Sequence, residues 1–152
     1  MSRDKPDRKP MIALVHDADR AFQAHMVESA HQRGRPDIKP SHNAVFAHLG
    51  DTARRAADLA TAAGMTRQSM GELVRELVNL GILEMVPDPD DGRAKLVTYS
   101  RDGKLFASDG YRHLRAIEDR LLAEFGGDYE ASRRVLERIG EVLADIPGTA
   151  QG

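Results

Sequence analysis

The side chains best placed for chemistry in this sequence are binders rather than bond breakers. If Met70, Leu73, Val74, Leu77 and Leu80 form the inward stripe of a helix, then Arg67, Gln68, Gly71, Glu72, Arg75 and Asn79 share its outward face. Arginine offers a fork of donors matched to guanine O6 and N7, and glutamine a donor–acceptor pair matched to adenine N6 and N7. Thr66 and Ser69, at the start of that helix, suit phosphate oxygens. Taken alone, the same residues make an ordinary solvated face. Further along, Arg93 and Lys95 follow an acidic turn. Asp91 could hold Arg93 extended toward a narrow minor groove, where the negative potential is strongest. A polar hairpin tip with a local ion pair accounts for the same spacing equally well.

Bond-breaking chemistry finds no matching motif. The sequence has no G-x-S-x-G, no phosphate-binding loop and no H-E-x-x-H. It has no cysteine, which excludes a disulfide framework, a thiolate metal site, a thiol nucleophile and a thiol redox sensor. Its six histidines (His16, His25, His31, His42, His48 and His113) include no pair at i+3 or i+4. Glu28 with His31, and Asp109 with His113, could each place two metal ligands on one helix face. A complete site needs both pairs or two subunits to converge, and helical surface polarity is the simpler reading.

Composition narrows the classes further. The 152 residues suit one domain, or one domain with an appendage, and are enough to bury a real core. The net charge is −2, with segment balances of +2, −1, 0 and −3 over residues 1–10, 11–51, 52–104 and 105–152. That is not the footprint of a bulk polyanion binder, so any nucleic-acid surface must come from a few well-placed cations. Aromatics are 5% and Trp is absent, which disfavours a single-strand stacking platform. The longest apolar runs, such as Met11–Val15, are too short for a membrane span or a signal-peptide core, so no membrane association and a cytoplasmic location are expected.

Periodicity supplies the elements that position these residues. A polar, Pro-punctuated tail covers residues 1–10. A helix follows from Met11 and ends at Gly34, Pro36 and Pro40. Ser41 is expected to cap a short helix ending near Gly50, and Asp51 and Thr52 to start a third that closes at Ala63. Gly64 supplies a turn with positive φ, Ala60 a close helix approach, and Thr66 a good N-cap. Leu59, Ala63, Met65, Met70 and Leu73 fill the core positions of a helix–turn–helix. Gly81 stops its second helix. Ile82–Val86 and Arg93–Tyr99 read as two strands, with a turn over residues 87–92. Ser100, with Asp102 in competition, caps a further helix. Stripes through Leu114, Ile117, Leu121, Leu122 and Phe125, and through Val135, Leu136, Ile139, Val142, Leu143 and Ile146, make two last helices broken at Gly126-Gly127. The expected fold is mainly α with a small β-hairpin: a winged helix–turn–helix between N- and C-terminal helices.

The stretch LATAAGMTRQSMGELVRELVNLGILEMVPDPDDGRAKLV resembles the winged-helix core of the MarR family of bacterial transcriptional regulators. Asp91-Gly92-Arg93 is similar to the family's Asp-x-Arg wing signature, whereas Tyr99-Ser100 replaces its usual Leu-Thr pair. The resemblance implies a cytoplasmic, non-enzymatic homodimer that acts as a repressor and grips a palindromic double-stranded DNA operator. Thr66, Arg67, Gln68, Ser69, Arg75, Arg93 and Lys95 would touch DNA, with Asp91 supporting the wing. It implies dimerisation and support helices over 11–50, the DNA-binding core over 51–104, dimerisation helices over 105–147 and a tail over 148–152. It also implies a small aromatic or other organic effector in a crevice that Phe22, His25, Phe46 and Tyr111 could line, although plain core packing explains these four equally well. No cofactor or resident metal is implied. Two alternatives stay open: a metal-responsive regulator of the same fold, and a winged-helix protein-interaction module that does not bind DNA.

Overall fold

The computed structural model describes residues 8–147; most of the tail expected over 1–10, and the tail over 148–152, lie outside them. In chain order the elements are α1 (Met11–Gln32), a 3-10 turn (Pro40–His42), α2 (Asn43–Leu49), α3 (Ala56–Ala63), α4 (Arg67–Asn79), β1 (Leu83–Asp88), β2 (Asp91–Tyr99), α5 (Arg101–Phe125) and α6 (Gly127–Ala144). The described residues divide into two compact units, one running to Tyr111 and the other from Arg112.

In the first unit the expected helix–turn–helix forms. Gly64 closes α3 with φ +64 and Thr66 caps α4, its hydroxyl accepting the Ser69 amide at 3.1 Å. Leu59, Ala60, Met70, Val74 and Leu77 are buried between the two helices and the sheet. At the far end of α4, Gly81 takes φ +75, its amide reaches Val78 O and the Ile82 amide reaches Leu77 O. Those two bonds satisfy the last carbonyls of the helix and turn the chain directly into β1. β1 and β2 pair antiparallel, with Leu83 opposite Tyr99 and Met85 opposite Val97.

Three expected boundaries move, each for a local reason. α3 begins at Ala56 rather than at Asp51–Thr52, because the backbone of Arg54 bonds Val97 in both directions, at 3.0 and 2.7 Å, and adds a bridge to the edge of β2. Ser41 caps nothing: it lies in the 3-10 turn, where the His42 side chain accepts the Lys39 amide at 3.1 Å. The turn over 87–92 tightens to Pro89-Asp90, since both strands continue through Pro87-Asp88 and from Asp91, with an irregularity at Pro87/Asp88. Of the two candidate caps for α5, Ser100 prevails. Its hydroxyl accepts the Gly103 amide at 2.9 Å and donates to Gly81 O at 2.6 Å.

In the second unit, the later turns of α5 and the whole of α6 are joined at Gly126, which takes φ +54. Arg133 of α6 pairs with Glu118 of α5 at 3.6 Å and with Glu137 at 3.3 Å. α6 has no buried residue, and Val135, Leu136, Val142, Leu143 and Ile146 are each about half exposed.

Candidate nucleic-acid interface

The helix–turn–helix places α4 with one face in the core and the other in solvent. Met70, Leu73, Val74 and Leu77 are buried, while Thr66, Arg67, Gln68, Ser69, Glu72, Arg75 and Asn79 are exposed. The Thr66 hydroxyl also donates to Ser69 Oγ at 2.9 Å. These contacts order the first turn of α4. The space beside Gly71 is taken by Arg75, whose Nη1 would lie 3.5 Å from an added Cβ. Arg75 therefore folds back along the outward face.

The inner half of α4 is anchored by charge. The fully buried His42 accepts the Lys39 amide on Nδ1, so Nε2 carries the proton and donates to Glu76 Oε2 at 2.9 Å. Lys39 Nζ reaches the same oxygen at 2.7 Å. Lys39 and then His42 hold the Glu76 carboxyl below the usual range. Sequence reasoning missed this anchor, because nothing in the spacing of Lys39, His42 and Glu76 joins residues 34 apart.

The wing is positioned by a second anchor. Arg55, the N-cap residue of α3, donates to Asp88 Oδ2 through Nε at 3.0 Å and through Nη2 at 2.7 Å. The other oxygen of Asp88 accepts the Asp90 amide at 2.9 Å. The Asp90 amide and then Arg55 hold the Asp88 carboxyl below its ordinary value. Asp91 stands 3.8 Å from the same guanidinium, and its Oδ1 accepts the Arg93 amide at 3.1 Å. Asp91 thus orders the backbone at Arg93 rather than pairing with its guanidinium. Arg93 and Lys95, two apart on β2, are exposed on one face of the wing. Among the described residues, Arg67, Arg75, Arg93 and Lys95 form no ion pair with a carboxylate. Arg55 was not singled out from sequence, since residues 51–55 read as helix.

The four crevice candidates differ in burial. Phe46 packs on Phe106 with centroids 5.5 Å apart and stacks on Tyr99 at 6.5 Å. Burial, together with the charge of Asp51, pushes the Tyr99 phenol up to about 12. Phe22, His25 and Tyr111 are exposed. Arg33 lies over the Phe106 ring at 5.2 Å and Arg35 at 5.9 Å. Arg33 Nε donates to Ser29 O, while its Nη1 is buried without a hydrogen-bond partner among the described residues. The pair Glu28 and His31 is committed elsewhere, Glu28 to Gln32 at 2.9 Å and His31 to Ile38 O at 2.8 Å. Among the described residues, no three histidine or carboxylate groups gather as metal ligands. Nor is any helix among them long and apolar enough to cross a membrane.

Residues 37–94 match the model of the MarR family. No curated protein matches the chain. Solved structures do. A MarR family transcription regulator aligns with 92% of this chain and 89% of its own, at 17% identity and a TM-score of 0.74. A probable transcriptional regulator from Pseudomonas aeruginosa aligns over 86% and 97% of the two chains, at 23% identity and a TM-score of 0.69. A Mycobacterium tuberculosis MarR family protein, solved in complex with salicylic acid, aligns over 88% and 98%, at 21% identity and a TM-score of 0.63. At these identities the likeness establishes the fold.

Proposed function

We propose, from the match of residues 37–94 to the model of the MarR family, that this chain is a homodimeric, sequence-specific regulator of transcription that represses from a palindromic DNA operator. The family and its structural neighbours are transcriptional regulators, not enzymes. The observation that carries the reading is the outward face of α4. It presents Gln68 with Arg67 and Arg75, neither arginine paired with a carboxylate among the described residues, beside a wing whose Arg93 and Lys95 are equally unencumbered. N-terminal residues of such a helix reach base edges in the major groove. Arg93 and Lys95 suit the phosphates or the adjoining minor groove.

Dimerisation is supported by apolar side chains without cover in a single chain. Met11, Ile12 and Leu14 of α1 are 59%, 80% and 47% exposed, and α6 buries nothing while carrying five large apolar residues. A second copy of the chain is the occupant that also supplies the two-fold symmetry a palindrome needs. Footprinting on a duplex that the chain selects tests the assembly. Two protected half-sites, centred about 10–10.5 base pairs apart or a multiple of that, are expected. A single protected half-site contradicts the dimer.

Relief by a small organic anion is the second part of the reading. Arg33 Nη1 is a buried donor without an acceptor, beside the Phe46–Phe106–Tyr99 rings. The neighbour solved with salicylic acid supports the same ligand class. Benzoate should release the bound duplex from the native chain and fail to release it from Arg33→Gln. Release from both contradicts this placement.

A further inference from the structure

Glu72 sits where a DNA-reading face should tolerate it least. At 3.6 residues per turn, Gln68, Glu72, Arg75 and Asn79 fall within a sector of roughly 60° opposite the buried stripe of α4. Glu72 is exposed and forms no ion pair among the described residues. Its Oε1 is the acceptor for Gln68 Nε2, at 3.4 Å. The other acidic residue in this stretch, Glu76, is held by Lys39 and His42 away from that sector. A carboxylate near a phosphate is repelled, so it weakens every non-specific encounter. A carboxylate over base edges is an acceptor, and the base-edge donor it matches in the major groove is the N4 amino group of cytosine.

We infer that Glu72 is a specificity-determining residue, accepting a hydrogen bond from cytosine N4 in each half-site while its charge suppresses binding to other sequences. This rests on the DNA-reading assignment of α4. Gln68 and Glu72 are one turn apart, about 5–6 Å along the helix, so the cytosine lies within about two base pairs of the position Gln68 reads. The hydrogen bond from Gln68 uses one of its two amide protons. The other proton and the carbonyl oxygen remain available for an adenine.

The test is selection of duplexes from a random pool by the native chain, Glu72→Ala and Glu72→Gln, followed by titration of each winner and of an unrelated duplex. The native chain should prefer cytosine at one position per half-site by at least about fivefold. Glu72→Ala should lose that preference alone and bind the unrelated duplex severalfold more tightly. Glu72→Gln should shift the position toward adenine. A native motif that persists unchanged in both variants overturns the role of Glu72 and leaves the DNA-reading face standing. No motif with the native chain overturns that face, and this inference with it.

Discussion

Arg55 and Asp88, 33 residues apart, are joined by two hydrogen bonds from one guanidinium to one carboxylate oxygen, at 3.0 and 2.7 Å. Arg55 begins α3 and Asp88 ends β1, so the pair ties the tip of the wing to the first helix of the helix–turn–helix. Asp88 is only 7% exposed, and its second oxygen is occupied by the Asp90 amide. The wing is therefore held at an angle set by the same scaffold that holds α4. Under the proposed DNA-reading role, α4 and the wing share one frame, as a preorganised site requires.

Breaking that tether should disturb the wing before the core. Arg55→Ala is expected to weaken binding to a selected duplex, and to expose amides of residues 88–93 to faster hydrogen exchange. The carboxyl of Asp88 is depressed in the folded state, so its contribution to stability is present above about pH 4, the ordinary carboxylate value. It is lost as the pH falls through the lower folded value. Urea unfolding at pH 7 and in the pH 3–4 range should show a smaller acid-dependent loss in Arg55→Ala than in the native chain. Identical pH dependence in the two would show that Arg55 does not set the state of Asp88.

The two reading elements should fail differently. Arg67→Ala or Gln68→Ala should cost about 1–3 kcal/mol and relax preference at one or two positions. Arg93→Ala should weaken binding across sequences and reduce the salt slope by about 1 if the side chain meets phosphate. Competition titrations with single-base operator variants separate the two patterns. Equal loss of specific and non-specific binding in all three variants would count against these roles.

α6 offers a direct handle on assembly. None of its residues is buried within one chain, so Leu136→Glu and Leu143→Glu should leave the fold of the monomer intact. Sedimentation velocity at micromolar concentration should then report a monomer where the native chain reports a dimer. A native-like sedimentation coefficient for the double variant would place the dimer contact elsewhere.

Among the described residues, Gly103 is the glycine with the least room. A Cβ there would lie 1.8 Å from Ile82 O, a backbone atom that also accepts the Ser100 amide. Gly103→Ala should lower stability by about 1–3 kcal/mol, a fall in Tm of several degrees by calorimetry. An unchanged Tm would mean that the start of α5 can shift away from β1 without cost.

How far the sequence reached depends on the range of the interactions. The helix–turn–helix was legible because its signals are local: Gly64 for the turn, Thr66 for the cap, Gly81 for the stop, and the Met70–Leu77 stripe. The outward face of α4 followed from that stripe by subtraction. What stayed hidden was held by distant partners. Residues 51–55 carry a helix pattern, yet the Arg54 backbone pairs with Val97 and overrides it. Arg55 with Asp88, and His42 with Glu76, join residues that no periodicity brings together. The setting of the crevice candidates was equally out of reach: Phe46 packs in an aromatic cluster with Tyr99 and Phe106, while Phe22 and Tyr111 are exposed.

The most direct test of sequence-specific DNA binding is selection of duplexes from a random pool by the full chain, with the best duplex then titrated at two salt concentrations. The expected result is a palindromic motif bound by two copies of the chain. Its affinity should fall steeply with salt, as several phosphate contacts require. No enrichment of any motif, with weak binding indifferent to salt, would contradict the account and leave the winged helix as a surface for protein contacts.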